Sequence, residues 1–494
     1  MVGMEFAQTR YETMTASANG VTAEDENFQY LSYYDPNASS RTMSGTDYSR
    51  YNMSYFGRLG YTYDNRYNVQ ASLRADAYDL SKLSKSNRWG IFPSISAGWT
   101  ISNEEFFKNN INRDIVNQVK LRASYGVNGN INSLSDFSWT NAMSLSGLYG
   151  INDGLTTMAS PSTILANEDL TWEESRQTDL GLDVRMFKDR LTLGVDYYDK
   201  YTTNMLVSIT APAVSGASTT YVNRGKIRNY GLEFEASWKG QIGSDFNYSI
   251  SANLSTVHNN VVESPLGAGR TSGGTNFFLP ITYLEEGYPM WYIRTYKVKG
   301  LDENGDTVYY TADELGTDDG LDYAGSGIPD FTYGITLTAN WKNWDFTVFG
   351  SGVQGNEMFL CILRPDLPIC NLPAFLYTDR WTSSNTNAEW PRPSSKDLFM
   401  SGGHYSQSDY WVFDASYFKI KQIQLGYTMP KKVLDALHIK GLRIYGSLEN
   451  AFTFTKYPGN DPESMSATYG SGVGLDKVNY PSTRNYILGL NFSF

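Results

Sequence analysis

The sequence predicts an all-β protein, an antiparallel transmembrane β-barrel with long loops crowded onto one rim. Three observations predict it: an aromatic- and glycine-rich composition, a period-two alternation of apolar and polar residues, and a parity in the lengths of the connections. The 494 residues include 24 Phe, 37 Tyr and 11 Trp, 15% in all, with 44 Gly, while charged residues reach only 19%. Disorder requires few aromatics and a high charge density, so this chain is not disordered; aromatic residues favour the pleated surface of a sheet. The length alone would suggest roughly three soluble domains, a prior that barrels break. With 40 Lys+Arg against 52 Asp+Glu the net charge is −12, which argues against nucleic acid as a partner because phosphate binding needs a basic stripe. No apolar run approaches the roughly 20 residues of a membrane-spanning helix, which leaves a barrel as the membrane option.

The strands are read from the alternation. In 331–341, Phe331, Tyr333, Ile335, Leu337, Ala339 and Trp341 alternate with Thr332, Gly334, Thr336, Thr338 and Asn340, giving one apolar face. Val119 to Tyr125, Leu191 to Tyr197, Leu442 to Leu448 and the final Tyr486 to Phe494 repeat the pattern. About fourteen such strands follow, near 1–14, 50–63, 66–78, 90–101, 118–128, 172–186, 191–206, 226–240, 245–258, 331–341, 344–354, 410–428, 440–454 and 483–494.

Connections after even-numbered strands are short: Asp64 and Asn65, Lys188 to Arg190, Gln241 to Ser244, Lys342 and Asn343. Two longer ones, Asn103 to Asn117 and Pro430 to Ile439, read as brief helical excursions. Connections after odd-numbered strands are long, as at 129–171, 259–330 and 355–409. Short turns on one rim and long loops on the other are the pattern of an outer-membrane barrel, whose closure satisfies every backbone group in lipid. Trp99, Trp172, Trp238, Trp341 and Trp344 near strand ends suit interfacial girdles, and each also suits plain packing. The competing fold is a secreted, loop-rich β-sandwich or adhesin.

Enzymatic and metal signatures are sparse. His258, His404 and His438 are scattered, and Cys361 and Cys370 match neither a zinc nor a redox spacing; the cysteines are a loop disulfide or two idle thiols, according to compartment. No Walker A loop, HExxH or GxSxG occurs, and no catalytic, cofactor-binding or metal-ligating residue is assigned. The glycines of Gly470 to Gly474 open no helix, which disfavours a phosphate cradle. Asp302-Glu303-Asn304-Gly305-Asp306 begins like a calcium loop, but Ala312 stands where the loop's last carboxylate belongs, so a hairpin at Asn304-Gly305 is expected instead. Met1 to Phe6 lack the basic and apolar regions of a signal peptide, so the protein is cytoplasmic or its true N-terminus lies upstream.

Particular segments resemble the SusC/RagA family of TonB-linked outer-membrane transporters. Asn167 to Glu174 followed by Gln177 to Asp183 resembles the family's "NPxLxWE…T…GLD" strand, and Asp196 to Lys200 its "DYYD" continuation. Gly225 to Gly231 resembles "GKIxNxG" and Pro329 to Gly334 resembles "PxxtyG"; Asp379 to Thr382 with Pro391-Arg392, Leu425 to Pro430 and Gly459 to Glu463 follow in the family's order. The resemblance runs from about Tyr51 to Phe494. It implies the C-terminal barrel portion of a roughly 22-stranded, plugged transporter, residues 1–494 lacking the signal, plug and first strands; a fourteen-stranded barrel closing alone is the alternative.

The function so implied is TonB-energised import of an oligosaccharide or peptide, with a SusD-like lipoprotein as partner and no bond chemistry. Trp381, Trp390, Tyr405, Tyr410 and Trp411, with Arg380 and Arg392, are the candidate substrate-binding residues, since flat rings stack on sugars or peptide side chains. The alternative for them is packing of the long loops. On the last strand, Tyr486, Gly489, Leu490, Phe492 and Phe494 resemble the C-terminal signal read by the barrel-assembly machinery, and their aromatics would also anchor in outer-membrane lipid. The rival functions are a passive porin-like channel and a surface adhesin.

Overall fold

The protein is seen in a computed structural model that describes residues 1–17, 42–141, 143–151, 154–161, 163–267, 269–363, 373–392, 404–436, 438–464 and 470–494. Fourteen strands lie side by side in chain order: β1 (Val2–Ser17), β2 (Thr42–Tyr63), β3 (Tyr67–Tyr78), β4 (Trp89–Thr100), β5 (Val116–Asn130), β6 (Glu173–Met186), β7 (Leu191–Thr203), β8 (Lys226–Ile242), β9 (Phe246–Thr256), β10 (Phe331–Trp341), β11 (Trp344–Gln354), β12 (Tyr417–Thr428), β13 (Gly441–Thr455) and β14 (Asn485–Ser493). Every neighbouring pair is antiparallel, from Val2 opposite Gly57 to Gly441 opposite Ser493. Among the described residues β1 and β14 lie at the two edges of this sheet.

All fourteen expected strands are present, with shifted ends. β2 reaches back to Thr42 and β8 runs on to Ile242. The twelfth strand starts late, at Tyr417, because Asp409–Trp411 makes a single 3-10 turn and Val412–Asp414 pairs with Glu357–Leu360 in a separate small sheet. Tyr410 and Trp411, expected at the head of a barrel strand, therefore belong to a loop. Of the small loop strands only the hairpin around Asn304-Gly305 was expected, and it is present between Val298–Leu301 and Thr307–Tyr309; others, such as the hairpin of Leu206–Thr210 with Thr219–Asn223, were not.

Register carries each face across the sheet. Val69, Ala97, Ala123, Leu180, Tyr197 and Leu232 stand opposite one another in a row over β3 to β8. The next row, Gln70, Ser96, Ser124, Asp179, Tyr198 and Gly231, lies on the other face and is polar. Val69, Leu180 and Leu232 are exposed on the apolar face. On the polar face charges neutralise each other between strands: Arg122 reaches Asp183 at 2.8 and 2.9 Å and Asp196 at 3.0 Å, and Arg443 pairs with Asp345.

The trimmed rim is built from left-handed turns. Asp64 and Asn65 both have positive φ, 51° and 52°, the type I′ geometry whose twist matches that of the strands. Short helices at Glu105–Asn110 and Lys431–Ala436 fill the two longer connections, as expected. The first is pinned by Glu104, which accepts from the Tyr67 hydroxyl (2.6 Å), Arg66 (2.9 Å) and the Trp99 indole (3.0 Å); these donors hold its carboxyl down at about 2. Trp341 and Trp344 are exposed at the same rim, as a girdle requires. Trp172 departs from the girdle reading, since it is buried edge-on against Phe92 under the long loops.

The enclosed apolar core lies in the loops rather than against the sheet, because a sheet with its apolar face outward offers no interior to pack. One cluster gathers Leu83, Ile131, Leu134, Leu170, Trp172 and Leu206 from the loops after β3, β5 and β7. A second gathers residues from the loops after β9, β11 and β13.

Candidate functional site at the overgrown rim

The second cluster holds the candidate residues. Ile281 and Ile293 come from the loop after β9, Phe359, Leu363, Leu376, Trp390 and Trp411 from the loop after β11, and Leu475 from the loop after β13. Backbone pairing reinforces the packing: Phe359 and Leu360 lie parallel to Leu475 and Asp476, with the Phe359 N–H donating to Gly474 at 2.8 Å. The Tyr457 hydroxyl donates to Asp476 at 2.6 Å.

Four of the five expected aromatics meet here. Trp390 stacks on Tyr410 at 5.1 Å, and Trp411 lies 5.7 Å from both Trp390 and Tyr405. The Trp411 indole N–H donates to the Tyr405 carbonyl at 2.9 Å. Trp411 is 0% and Trp390 7% exposed, so these rings hold three loops together as one body; burying each contributes about 2–3 kcal/mol.

Trp381, Arg380 and Arg392 sit to one side. The Trp381 ring covers Gly305, where a Cβ would come within 2.3 Å of it; Gly305 also holds φ +79°, which favours glycine. Arg392 forks onto the Asp306 carboxylate, and its backbone N–H donates to the Gly305 carbonyl at 3.0 Å. The Asp302 to Asp306 stretch is thus a hairpin turn between Val298–Leu301 and Thr307–Tyr309, docked on Trp381 and Arg392. Arg380 lies over the Tyr377 ring, 3.8 Å from its centre.

Two ionic clusters brace the same loops and were not anticipated. Lys419, 1% exposed on β12, donates to both Asp461 oxygens at 3.1 Å, to Glu463 at 2.8 Å and to Ser482 at 3.0 Å. Burial alone would push both carboxyls up, but Ser482, the Glu463 N–H and Lys419 hold Asp461 below its usual range, and Lys419 with Lys421 does so for Glu463. Arg294, 3% exposed, donates to Asp319 at 2.6 Å, while Arg270 and Tyr292 donate to Glu285 at 3.0 and 2.7 Å. The acidic half of the first cluster was visible in sequence as Asp461-Pro462-Glu463, but nothing local marked which lysine it meets. Burial pushes the Cys361 thiol up to about 12, so it is no nucleophile at neutral pH; Cys370 lies outside the described residues. Among the described residues no group of acidic, His or Cys side chains forms a metal site.

The last strand shows Tyr486, Leu488, Leu490, Phe492 and Phe494 on the exposed face, Tyr486 and Phe494 at 79% and 82%. Gly489 faces the other way, opposite Tyr445, whose ring occupies the space a Cβ would take.

Comparison with known proteins agrees with this architecture. The family profile described as "TonB dependent receptor-like, beta-barrel" matches residues 7–451. The chain is 30% identical over 493 residues to TonB-dependent receptor P3 of Formosa agariphila, covering 94% of this chain and 48% of the relative. It is 29% identical over 462 residues to TonB-dependent receptor SusC of Bacteroides thetaiotaomicron, covering 90% of this chain and 44% of the relative. The solved RagAB peptide importer in its "open-open" state superposes with a TM-score of 0.82 at 24% identity, over 100% of this chain and 52% of that one. The chain spans about half the length of the curated relatives it matches. The family is one of transport receptors, not of enzymes. The motifs, the strand order and these likenesses converge, and the chain belongs to the TonB dependent receptor-like β-barrel family of the outer membrane, in its SusC/RagA branch.

Proposed function

We propose that this chain is the C-terminal barrel portion of an outer-membrane importer, energised through TonB and working with a SusD-like surface lipoprotein on oligosaccharides or peptides. The observation that carries the reading is the pairing of a charge-balanced polar wall with a consolidated cap over one rim, a passage built to be closed rather than left open. Among the described residues β1 and β14 each lack a second strand neighbour, an edge that lipid does not tolerate; further strands and a plug supplied with this portion would complete the barrel. Relatives named for SusC and for TonB dependence support the import reading.

Within it, Trp390, Tyr405, Tyr410 and Trp411 hold the cap, and Trp381, Arg380 and Arg392 bind substrate at its edge. Uptake of fluorescent oligosaccharides and of fluorescent peptides by cells expressing the protein tests the proposal. Import should stop when TonB is deleted or the proton gradient is collapsed. Uptake that continues without either would replace the importer by a passive channel. Trp390→Ala should lower uptake by loosening the cap, and Trp390→Phe, which keeps the packing, should restore most of it; equal loss in both variants would place the indole on the substrate path instead.

A further inference from the structure

Above Val257 the wall divides. β9 and β10 stay paired up to Thr256 opposite Phe331, and beyond that point His258–Glu263 follows β8 alone, with His258 opposite Tyr230 and Asn260 opposite Arg228. Side chains two apart on a strand share a face. The outward face that exposes Phe234 and Leu232 therefore continues up β8 through Tyr230 and Arg228 to Lys226. Opposite them on β7 stand Val195, Tyr197, Asp199, Tyr201 and Thr203. From Leu232 to Arg228, about 13 Å of strand, the lipid-facing surface changes from apolar to charged and phenolic. This transition lies toward the rim of long loops, the outer-leaflet side of an outer-membrane barrel.

Below the transition a groove of about 600 Å³ runs between Phe234, Leu254, Tyr333 and Ile335. Ala236 stands opposite Ala252, and Ala252 opposite Ile335, so two small residues side by side form its floor. Above the transition Arg228 forks onto Asp199 at 2.9 and 2.8 Å and lies over the rings of Tyr201 and Tyr230, 5.3 and 4.4 Å from their centres. Lys226 leans toward β7, its ammonium 4.5 Å from the centre of the Tyr201 ring, while Glu263 stands opposite it on the other side of β8. Among the described residues that ammonium forms no ion pair. Arg176, opposite Tyr201 on β6, is neutralised by Glu174 at 2.9 Å.

We propose that this part of the outer wall is a lipid site, in which the groove holds an acyl chain of an outer-leaflet lipid and Lys226, Arg228 and Tyr201 hold a phosphate of its head. The inference rests on the outer-membrane placement of the barrel and is independent of what the protein imports. Charge and donor count carry it. Asp199 and Glu174 each cancel one arginine, which leaves Lys226 as the uncancelled cation of the outward face between β6 and β8. The Arg228 fork uses Nε and Nη2, so Nη1 still has hydrogens to give, as do the Tyr201 and Tyr230 hydroxyls, which make no hydrogen bond among the described residues. A phosphate presents acceptors to such a set and forms the stronger, charge-assisted bonds with it. The groove by itself would gain little over neighbouring lipid, because hydrocarbon outside it is equally apolar; the head therefore sets the preference and the groove sets the position of the chain. The cleft of about 470 Å³ that opens at the division carries Asp330 and Glu357. Those carboxylates repel a phosphate and place it on the Tyr201 side of Tyr230.

The test uses the protein purified from outer membranes, stripped of lipid by detergent exchange and titrated with bisphosphorylated lipid A, with its dephosphorylated form and with inorganic phosphate, bound lipid being counted by native mass spectrometry. The bisphosphorylated lipid should be retained in preference to the dephosphorylated one, and inorganic phosphate should not displace it. Lys226→Gln should weaken retention about fivefold and Lys226→Glu about twentyfold. Ala252→Trp, which fills the groove with an apolar ring, should weaken it too, and unchanged heat-modifiable mobility certifies the fold of each variant. Equal retention of the two lipid forms, or retention that Lys226→Glu leaves unchanged, would overturn the assignment. Displacement by inorganic phosphate would reduce the cluster to an anion site without a lipid and overturn it as well. A dimer that forms without lipid and dissociates in Ala252→Trp would give the groove to a second copy of the chain, again against the proposal.

Discussion

Lys419 shows how a single residue fixes an extracellular loop. It is enclosed with Asp461 and Glu463, and removing one member of a buried ionic cluster costs about 3–5 kcal/mol because its partners stay desolvated. Lys419→Met should therefore free the loop after β13, read as faster protease cleavage within 456–484; wild-type resistance would show that the cluster braces nothing. Both carboxyls are held below their usual range. Their stabilisation is full above the ordinary carboxylate value near about pH 4 and is lost as pH falls through the lowered values, so cleavage of the wild type should accelerate only in that acid window. In Lys419→Met that acceleration should shrink but persist, since Ser482, the Glu463 N–H and Lys421 still hold the carboxyls down. The sequence exposed the acidic motif but not its partner, since the lysine lies on another strand and only folding brings the two together. The aromatics of the loop after β11 were legible as a group. Their burial was not, because a tryptophan that packs and one that stacks on a ligand are the same letter.

At the level of elements the prediction from sequence was nearly complete. Alternation marks a strand because successive side chains point to opposite faces, and lipid on one side with polar groups on the other keeps the alternation clean. Turn chemistry marked the trimmed rim, where Asp64 and Asn65 take up left-handed conformations that asparagine and aspartate tolerate. The start of β12 was misplaced because Tyr410, Trp411, Val412 and Phe413 read as a strand head, while their side chains are drawn into the loop core and the 3-10 turn of Asp409–Trp411. The last strand carries its own prediction. Phe494 stands exposed, 4.9 Å edge-on from Phe492, and its deletion should lower the yield of heat-modifiable, outer-membrane-inserted protein several-fold. Full insertion without it would leave the terminal aromatics as lipid anchors only.

For the whole molecule, one decision precedes the others: which face of the sheet meets lipid. Ile95, 53% exposed, belongs to the apolar face and Ser96 to the polar one. Ile95→Arg should cost about 2–4 kcal/mol of barrel stability, measured by urea unfolding in lipid vesicles, while Ser96→Arg, one residue along, should cost far less. Equal costs would mean that the faces are reversed or that the sheet does not span a membrane.

The sequence by itself determined the strand number, their order, the parity of the rims and the family, because each is written in local periodicity, turn residues or contiguous motifs. Only the tertiary structure decided that the loops after β9, β11 and β13 share one core, that Lys419 and Arg294 are its buried cations, and that the wall divides above Val257 to form a cleft. Those features depend on contacts between residues far apart along the chain, and no periodicity or spacing within a single segment records them.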